Sequence, residues 1–167
     1  MSDMERLAFI IASCMHSGQN YGEHDYIYHL LKVNEVLKRF NCEDEELLAA
    51  AFLHDSLEDT PLKKKYIEEF VGEGVANLVF AVTDERGGNR KERKLKTMPK
   101  TRAAGARATQ LKLADIIANV EYGISVRSDM VKMYAKEYLV IKHFLQVDGE
   151  NTPMWEHLES LLGDRNG

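Results

Sequence analysis

The chain has 167 residues, 44% apolar and 29% charged, which suits one globular domain with a substantial core. A formal net charge of −5 argues against a nucleic-acid backbone as partner, yet leaves room for a small anionic substrate in a locally basic pocket. No apolar run approaches ~20 residues and no basic-then-apolar leader opens the chain, so neither a membrane span nor a signal peptide is expected. Cys14 and Cys42 have no metal-type spacing and read as reduced, partly buried thiols of a cytoplasmic protein.

Ser2 and Glu5 form a capping box, and Leu7, Ala8, Ile11, Cys14 and Met15 then recur at helical spacing. His16 to Asp25 holds two glycines and several polar groups, so a loop able to face a ligand is expected there. A second helix carries Tyr26, Ile27, His29, Leu30, Leu31, Val33, Asn34 and Leu37. A third begins at Asn41 or Glu43-Asp44 and ends in Ala49 to Thr60. Thr60-Pro61 reads as N-cap and first residue of a short helix that Gly72 stops. Val75, Leu78, Val79 and Val82 give a further amphipathic segment ending at Thr83-Asp84.

Residues 85–102 are the one concentrated basic region. They read as a solvated loop and short helix, or as a source of cations for an anion. Ala103 to Tyr122 predicts a long helix stopped by Gly123, with Ala106 and Leu111 among its packing positions. Ser125 or Ser128 caps the next helix, which carries Met130, Met133, Tyr134, Tyr138 and Ile141. Asn151-Thr152-Pro153 opens a last one. No stretch alternates convincingly with period two, so the expected fold is all-α, a single-domain helical bundle over residues 1–167.

The apolar run Ala49 to Leu53 ends abruptly in His54, Asp55, Ser56, Glu58 and Asp59. On an unbroken helix His54 and Glu58 share one face, and Asp55 and Asp59 the adjacent strip. Burying that much unpaired charge is costly unless a cation joins it. Other helices offer His29 and Asp115, the latter among Leu111, Leu113, Ile116 and Ile117. Two imidazoles and two carboxylates suit Mn, Fe(II) or Mg better than a thiolate-seeking metal. Taken singly, His29 also reads as a hydrogen-bonded structural histidine and Asp115 as an ion-pair partner.

Three stretches carry a resemblance: His16-Ser17-Gly18-Gln19 with Tyr26-Ile27-Tyr28-His29; Ala50 to Thr60; and Val82-Thr83-Asp84, Glu92-Arg93-Lys94 and Lys112 to Asn119. Together they resemble the HD-domain phosphohydrolases, more narrowly the small alarmone hydrolases related to the hydrolase half of RelA/SpoT proteins. The resemblance implies an HD-type helical bundle that hydrolyses the 3′-pyrophosphate of (p)ppGpp with one Mn2+, Fe2+ or Mg2+ being alternatives. It implies His29, His54, Asp55 and Asp115 as metal ligands, and Glu58 and Asp59 as the pair that handles the attacking water. Lys112, Asn119, Arg90, Arg93 and Lys94 then hold phosphates or ribose. Tyr138 falls in a stretch like the family's C-terminal pocket helix, or is a core tyrosine.

The segment from His16 to His29 departs from the family pattern. It is one residue shorter, lacks the arginine that packs on the base, and has Asp25 in place of a proline. Tyr21 is a candidate stacking face in compensation. Three functions follow: an alarmone pyrophosphohydrolase, a more general HD nucleotidase acting on ppApp, NADPH or another nucleotide, and a non-catalytic nucleotide-binding module. The expected partner is a small-molecule nucleotide, with no nucleic acid or membrane; a homodimer is left open.

Overall fold

The computed structural model describes residues 1–163. Helix α1 (Asp3–Met15) starts with the anticipated capping box: Glu5 N–H donates to Ser2 Oγ, and Ser2 N–H to the Glu5 carboxylate. A two-residue antiparallel ribbon follows, β1 (Asn20–Tyr21) and β2 (His24–Asp25), turning at Gly22-Glu23. Gly22 has φ 61°, and a Cβ there would strike the Tyr122 hydroxyl, so this turn needs glycine. Periodicity could not reveal strands this short.

Helices α2 (Ile27–Arg39) and α3 (Glu45–Leu53) come next, and α1, α2 and α6 (Glu73–Val82) pack around α3. Every α3 residue from Leu47 to Leu53 is buried, which is why this helix is apolar on all sides. Its N-cap is Asp44, whose side chain accepts from Leu47 N–H.

The helix does not run unbroken to Thr60. It ends at Leu53, His54-Asp55 form a turn, and α4 (Ser56–Asp59) starts anew. Adjacent residues on a helix point about 100° apart. The break instead aims His54 and Asp55 at one point, with Nε2 and Oδ2 3.0 Å apart.

Thr60-Pro61 does not open a helix either: α5 (Lys64–Phe70) begins after N-cap Lys63. The Thr60 hydroxyl is committed to closing α4, donating to the Ser56 carbonyl and accepting from Leu62 N–H.

The basic region contains a longer helix than expected, α7 (Arg90–Ala103), capped by Asn89, which accepts from Glu92 N–H. Lys94, Thr97, Met98 and Thr101 are its buried face. Helix α8 (Ala106–Ser125) passes through Gly123 instead of stopping there. A side chain at Gly123 would press on Val131, so the glycine lets α9 (Met130–Leu145) approach. Ala106, expected to pack, is exposed in the first turn of α8. Helix α10 (Thr152–Gly163) packs on α8 and α9. The architecture is all-α apart from the ribbon. Cys14 is exposed, not partly buried, while Cys42 is half-buried. No helix among the described residues is long and apolar enough to cross a membrane.

Candidate active site and metal centre

His29 enters from the first turn of α2, His54 and Asp55 from the break after α3, and Asp115 from the middle of α8. His29 and His54 are 2% exposed and Asp115 7%. Their donor atoms converge. His29 Nε2 lies 3.3 Å from His54 Nε2, 3.3 Å from Asp115 Oδ1 and 3.6 Å from Asp55 Oδ2. His54 Nε2 lies 3.0 Å from Asp55 Oδ2 and 3.7 Å from Asp115 Oδ1. Ligands bound at about 2.1 Å to one ion stand about 3.0 Å apart at right angles and about 3.4 Å apart in a tetrahedron. His29 Nε2, His54 Nε2 and Asp55 Oδ2 are therefore spaced as three donors to a single divalent cation would be, and Asp115 Oδ1 stands beside the two imidazoles.

The His54 ring is set for this role: Nδ1–H donates to the Ala51 carbonyl at 2.9 Å, turning Nε2 to the cage. Burial opposes a charge on His54, but Asp55 and Asp115 overcome it and hold its pKa well above the usual range. A proton and a metal thus compete for Nε2. His29 is oriented differently. Its buried Nδ1 has no hydrogen-bond partner among the described residues, and the Tyr21 ring stacks on it at 4.7 Å.

Around Asp115, Lys112 Nζ donates to Oδ2 at 3.2 Å and Asn119 Nδ2 to Oδ1 at 2.6 Å. Tyr21 O–H donates to Asn119 Oδ1 at 2.7 Å. Asn119, anticipated as a substrate contact, thus has both ends of its amide engaged. Burial works against Asp115 ionisation, and Lys112, His29 and His54 together outweigh it, keeping the carboxyl well below the usual range.

A cavity of about 240 Å³ opens over the cage, lined by Tyr21, His29, Asp55, Asp115, Glu58 and Lys112 among others. Glu58 accepts a hydrogen bond from Asp84 N–H. Desolvation, then the Asp84 carboxylate, pushes Glu58 up to about 7. Asp59 does not line this cavity; desolvation and Asp55 raise its pKa. Of the two carboxylates anticipated to handle the attacking water, Glu58 thus lines the cavity and Asp59 does not.

Of the anticipated cations, Arg90, Lys94 and Lys112 line the cavity. Glu137 on α9 receives Arg90 through Nε (2.9 Å) and Nη2 (3.2 Å), and Lys94 at 3.1 Å. Arg93 faces an adjoining cleft shared with Phe80, Thr83 and Lys100, 3.8 Å from Asp84. Tyr138 does not line the cavity: its buried hydroxyl has no partner among the described residues, and Lys142 lies over its ring.

A family model described as HD domain matches residues 8–141. The chain belongs to the HD-domain family. One relative, the guanosine-3′,5′-bis(diphosphate) 3′-pyrophosphohydrolase MESH1 of Drosophila melanogaster, is 35% identical over 99 residues, 59% of this chain and 55% of that protein. Another, the bifunctional (p)ppGpp synthase/hydrolase SpoT of Escherichia coli K12, is 34% identical over 143 residues, 81% of this chain and 20% of that protein. The chain thus spans about half the length of the first and a fifth of the second. A solved structure of a metazoan SpoT ortholog, described as hydrolysing ppGpp, superposes with a TM-score of 0.85 at 26% identity, covering 99% of this chain and 97% of that one.

The HD-domain cavity is also lined by residues to which the sequence pattern gave no site role: Tyr26, Asp84, Met130, Met133 and Tyr134. Tyr134 is one helical turn before Tyr138, so the helix was legible but the tyrosine facing the cavity was not. Burial pushes the Tyr134 phenol up to about 12, and Arg90 and Lys94 lie over its ring.

Proposed function

We propose that this chain is a metal-dependent pyrophosphohydrolase acting as one HD unit over residues 1–167. It removes the 3′-pyrophosphate of guanosine alarmones, converting (p)ppGpp to GDP or GTP and pyrophosphate. One observation carries the reading: the cage of His29, His54, Asp55 and Asp115 shares a cavity with Glu58 and with three cations, Arg90, Lys94 and Lys112. The relatives' names supply the substrate class.

When bound, a divalent ion, Mn(II) in the first instance, acidifies a water and polarises a phosphoryl oxygen. Glu58 accepts the proton of the attacking water at the oxygen not engaged with Asp84, and a pKa near neutrality suits a group that must both take up and release it. Asp59, which does not line the cavity, takes no part in this step. Lys112, Arg90 and Lys94 hold phosphate oxygens and offset their charge as the water oxygen bonds to phosphorus. The bond from phosphorus to the 3′ oxygen breaks, and that oxygen leaves protonated. The protein acts on a small nucleotide in the cytoplasm, with neither nucleic acid nor membrane as partner.

The test is incubation with Mn(II) and a panel of ppGpp, ppApp, NADPH and nucleoside mono- and triphosphates. Pyrophosphate appearing with GDP from ppGpp is the expected result. Release of orthophosphate alone, or binding without turnover, overturns it. A second reading, an HD nucleotidase with another nucleotide substrate, is favoured by one feature: Tyr21 is packed between His29 and Tyr122, at 4.7 and 4.5 Å, so it is not a free platform for guanine. The same panel separates the two.

A further inference from the structure

We propose that Tyr26 is a positioning residue of the metal centre, fixing the Asp55 carboxylate, and that His16 and Gln19 form the clamp that holds Tyr26 in place. This rests on the metal-site reading above and assigns a task to the His16-Ser17-Gly18-Gln19 stretch, which otherwise touches none of the four candidate ligands.

The Tyr26 hydroxyl donates to Asp55 Oδ2 at 2.6 Å. That oxygen is the one facing the cage, 3.0 Å from His54 Nε2 and 3.6 Å from His29 Nε2. Rotation about the last bond of an aspartate is soft, with broad wells. An unheld Asp55 can therefore swing its ligand oxygen out of the cage. A phenol is well suited to prevent this: it donates a proton without adding a charge to a centre that already holds two carboxylates. Tyr26 sits three residues before His29, so one turn of chain delivers both a ligand and the anchor of another.

Tyr26 is itself fixed. The His16 ring stacks on it at 4.7 Å with planes 12° apart, and Tyr21 meets it edge-on at 6.2 Å. His16 is 3% exposed and held at both ring nitrogens, by Gln19 Oε1 at 2.7 Å from Nδ1 and Ser56 Oγ at 3.3 Å from Nε2. Gln19 completes the unit: its carbonyl accepts from Tyr26 N–H, and its side-chain N–H donates to the Asp59 carbonyl at 2.7 Å. The clamp thus spans the turn after α1, the start of α2 and both ends of α4. Such outer hydrogen bonds to metal ligands tune affinity, and losing one costs roughly 10- to 100-fold.

The experiment compares full-length wild type with Tyr26→Phe, which keeps the ring and its stack on His16 and removes only the hydroxyl. Titration calorimetry with Mn(II) gives the dissociation constant, and thermal melting of the metal-free protein reports the fold. The expected result is a dissociation constant weaker by roughly 10- to 100-fold with an unchanged metal-free melting temperature. His16→Asn, which removes the stacking ring, weakens Mn(II) binding in the same direction and serves if the first variant is unstable. In both, turnover follows Mn(II) occupancy as the metal is raised. Wild-type Mn(II) affinity in a folded Tyr26→Phe protein overturns the proposal, as does a raised KM with unchanged metal affinity, which makes Tyr26 a substrate contact. If wild type itself binds no Mn(II), the metal-site reading fails instead.

Discussion

The Nε2 atoms of His29 and His54 face each other across 3.3 Å. Two imidazole nitrogens meet this closely only across a shared proton or a shared cation, and two carboxylates beside them favour either. Removing one imidazole opens the cage, so His54→Ala abolishes stoichiometric Mn(II) binding. Elemental analysis of the purified variant checks this, and wild-type metal content there sinks the ligand assignment.

The competition at His54 gives a pH dependence. Its folded pKa lies well above the ordinary value, so near neutrality the metal must displace a proton. Calorimetry of Mn(II) binding at pH 7, in buffers of different ionisation enthalpy, should record net proton release. Affinity should weaken as pH falls. In the metal-free protein the sign is opposite: a raised histidine pKa contributes stability that is fully present below the unfolded value and lost as pH rises through the folded one.

Glu58→Gln keeps the shape of the side chain and removes the base. The expected loss in turnover is roughly 10²-fold or more with the metal still bound. Because Glu58 titrates at about 7 and must be ionised to act, wild-type kcat/KM should rise with pH on an acid limb and level off above it. The charge of a bound cation moves that limb to lower pH. The variant should lack the limb altogether, and a pH-rate profile of both proteins decides.

Glu137 binds both cations that α7 turns toward the cavity. Burial and neighbouring Arg90 lower the Lys94 pKa, and Glu137 opposes them. Glu137→Gln should therefore loosen both side chains and raise KM by roughly tenfold, the scale of one charged hydrogen bond. Steady-state kinetics with the cognate substrate would show it, with the penalty growing at high pH as Lys94 loses its proton.

Gly22→Ala tests the ribbon. The positive φ and the Tyr122 hydroxyl both oppose a methyl group. A loss of about 1–3 kcal/mol is expected by urea denaturation. Unchanged stability would mean that the turn rearranges freely.

Much of the site was legible because its chemistry is carried by residue types that are costly to bury. His29, His54, Asp55 and Asp115 interrupt apolar helical patterns, and the structure brings those four together. The capping box of α1 and the all-α class were legible for local reasons. What could not be read depended on contacts between segments. The break after Leu53 leaves no Gly or Pro signal. Gly123 looked like a stop because its small size, which serves the approach of Val131, is indistinguishable in sequence from a helix terminator. Tyr134 and Tyr138 lie one turn apart on α9, and periodicity alone cannot say which turn reaches the cavity. Asn119 reads as a free amide until Asp115 and Tyr21 are seen to occupy it.

The burial of α3 on every side has a consequence for local opening. Amides of a helix with no solvent-facing stripe exchange only when the whole domain unfolds, whereas a ribbon held by two residue pairs opens by itself. His54 and Asp55 hang from the first kind of element, and Tyr21 from the second. Brief excursions of the ribbon can therefore disturb the Tyr21 side of the cavity while His54 and Asp55 stay anchored, so hydrogen exchange should be slow at Ala49–Leu53 and fast at Asn20–Asp25.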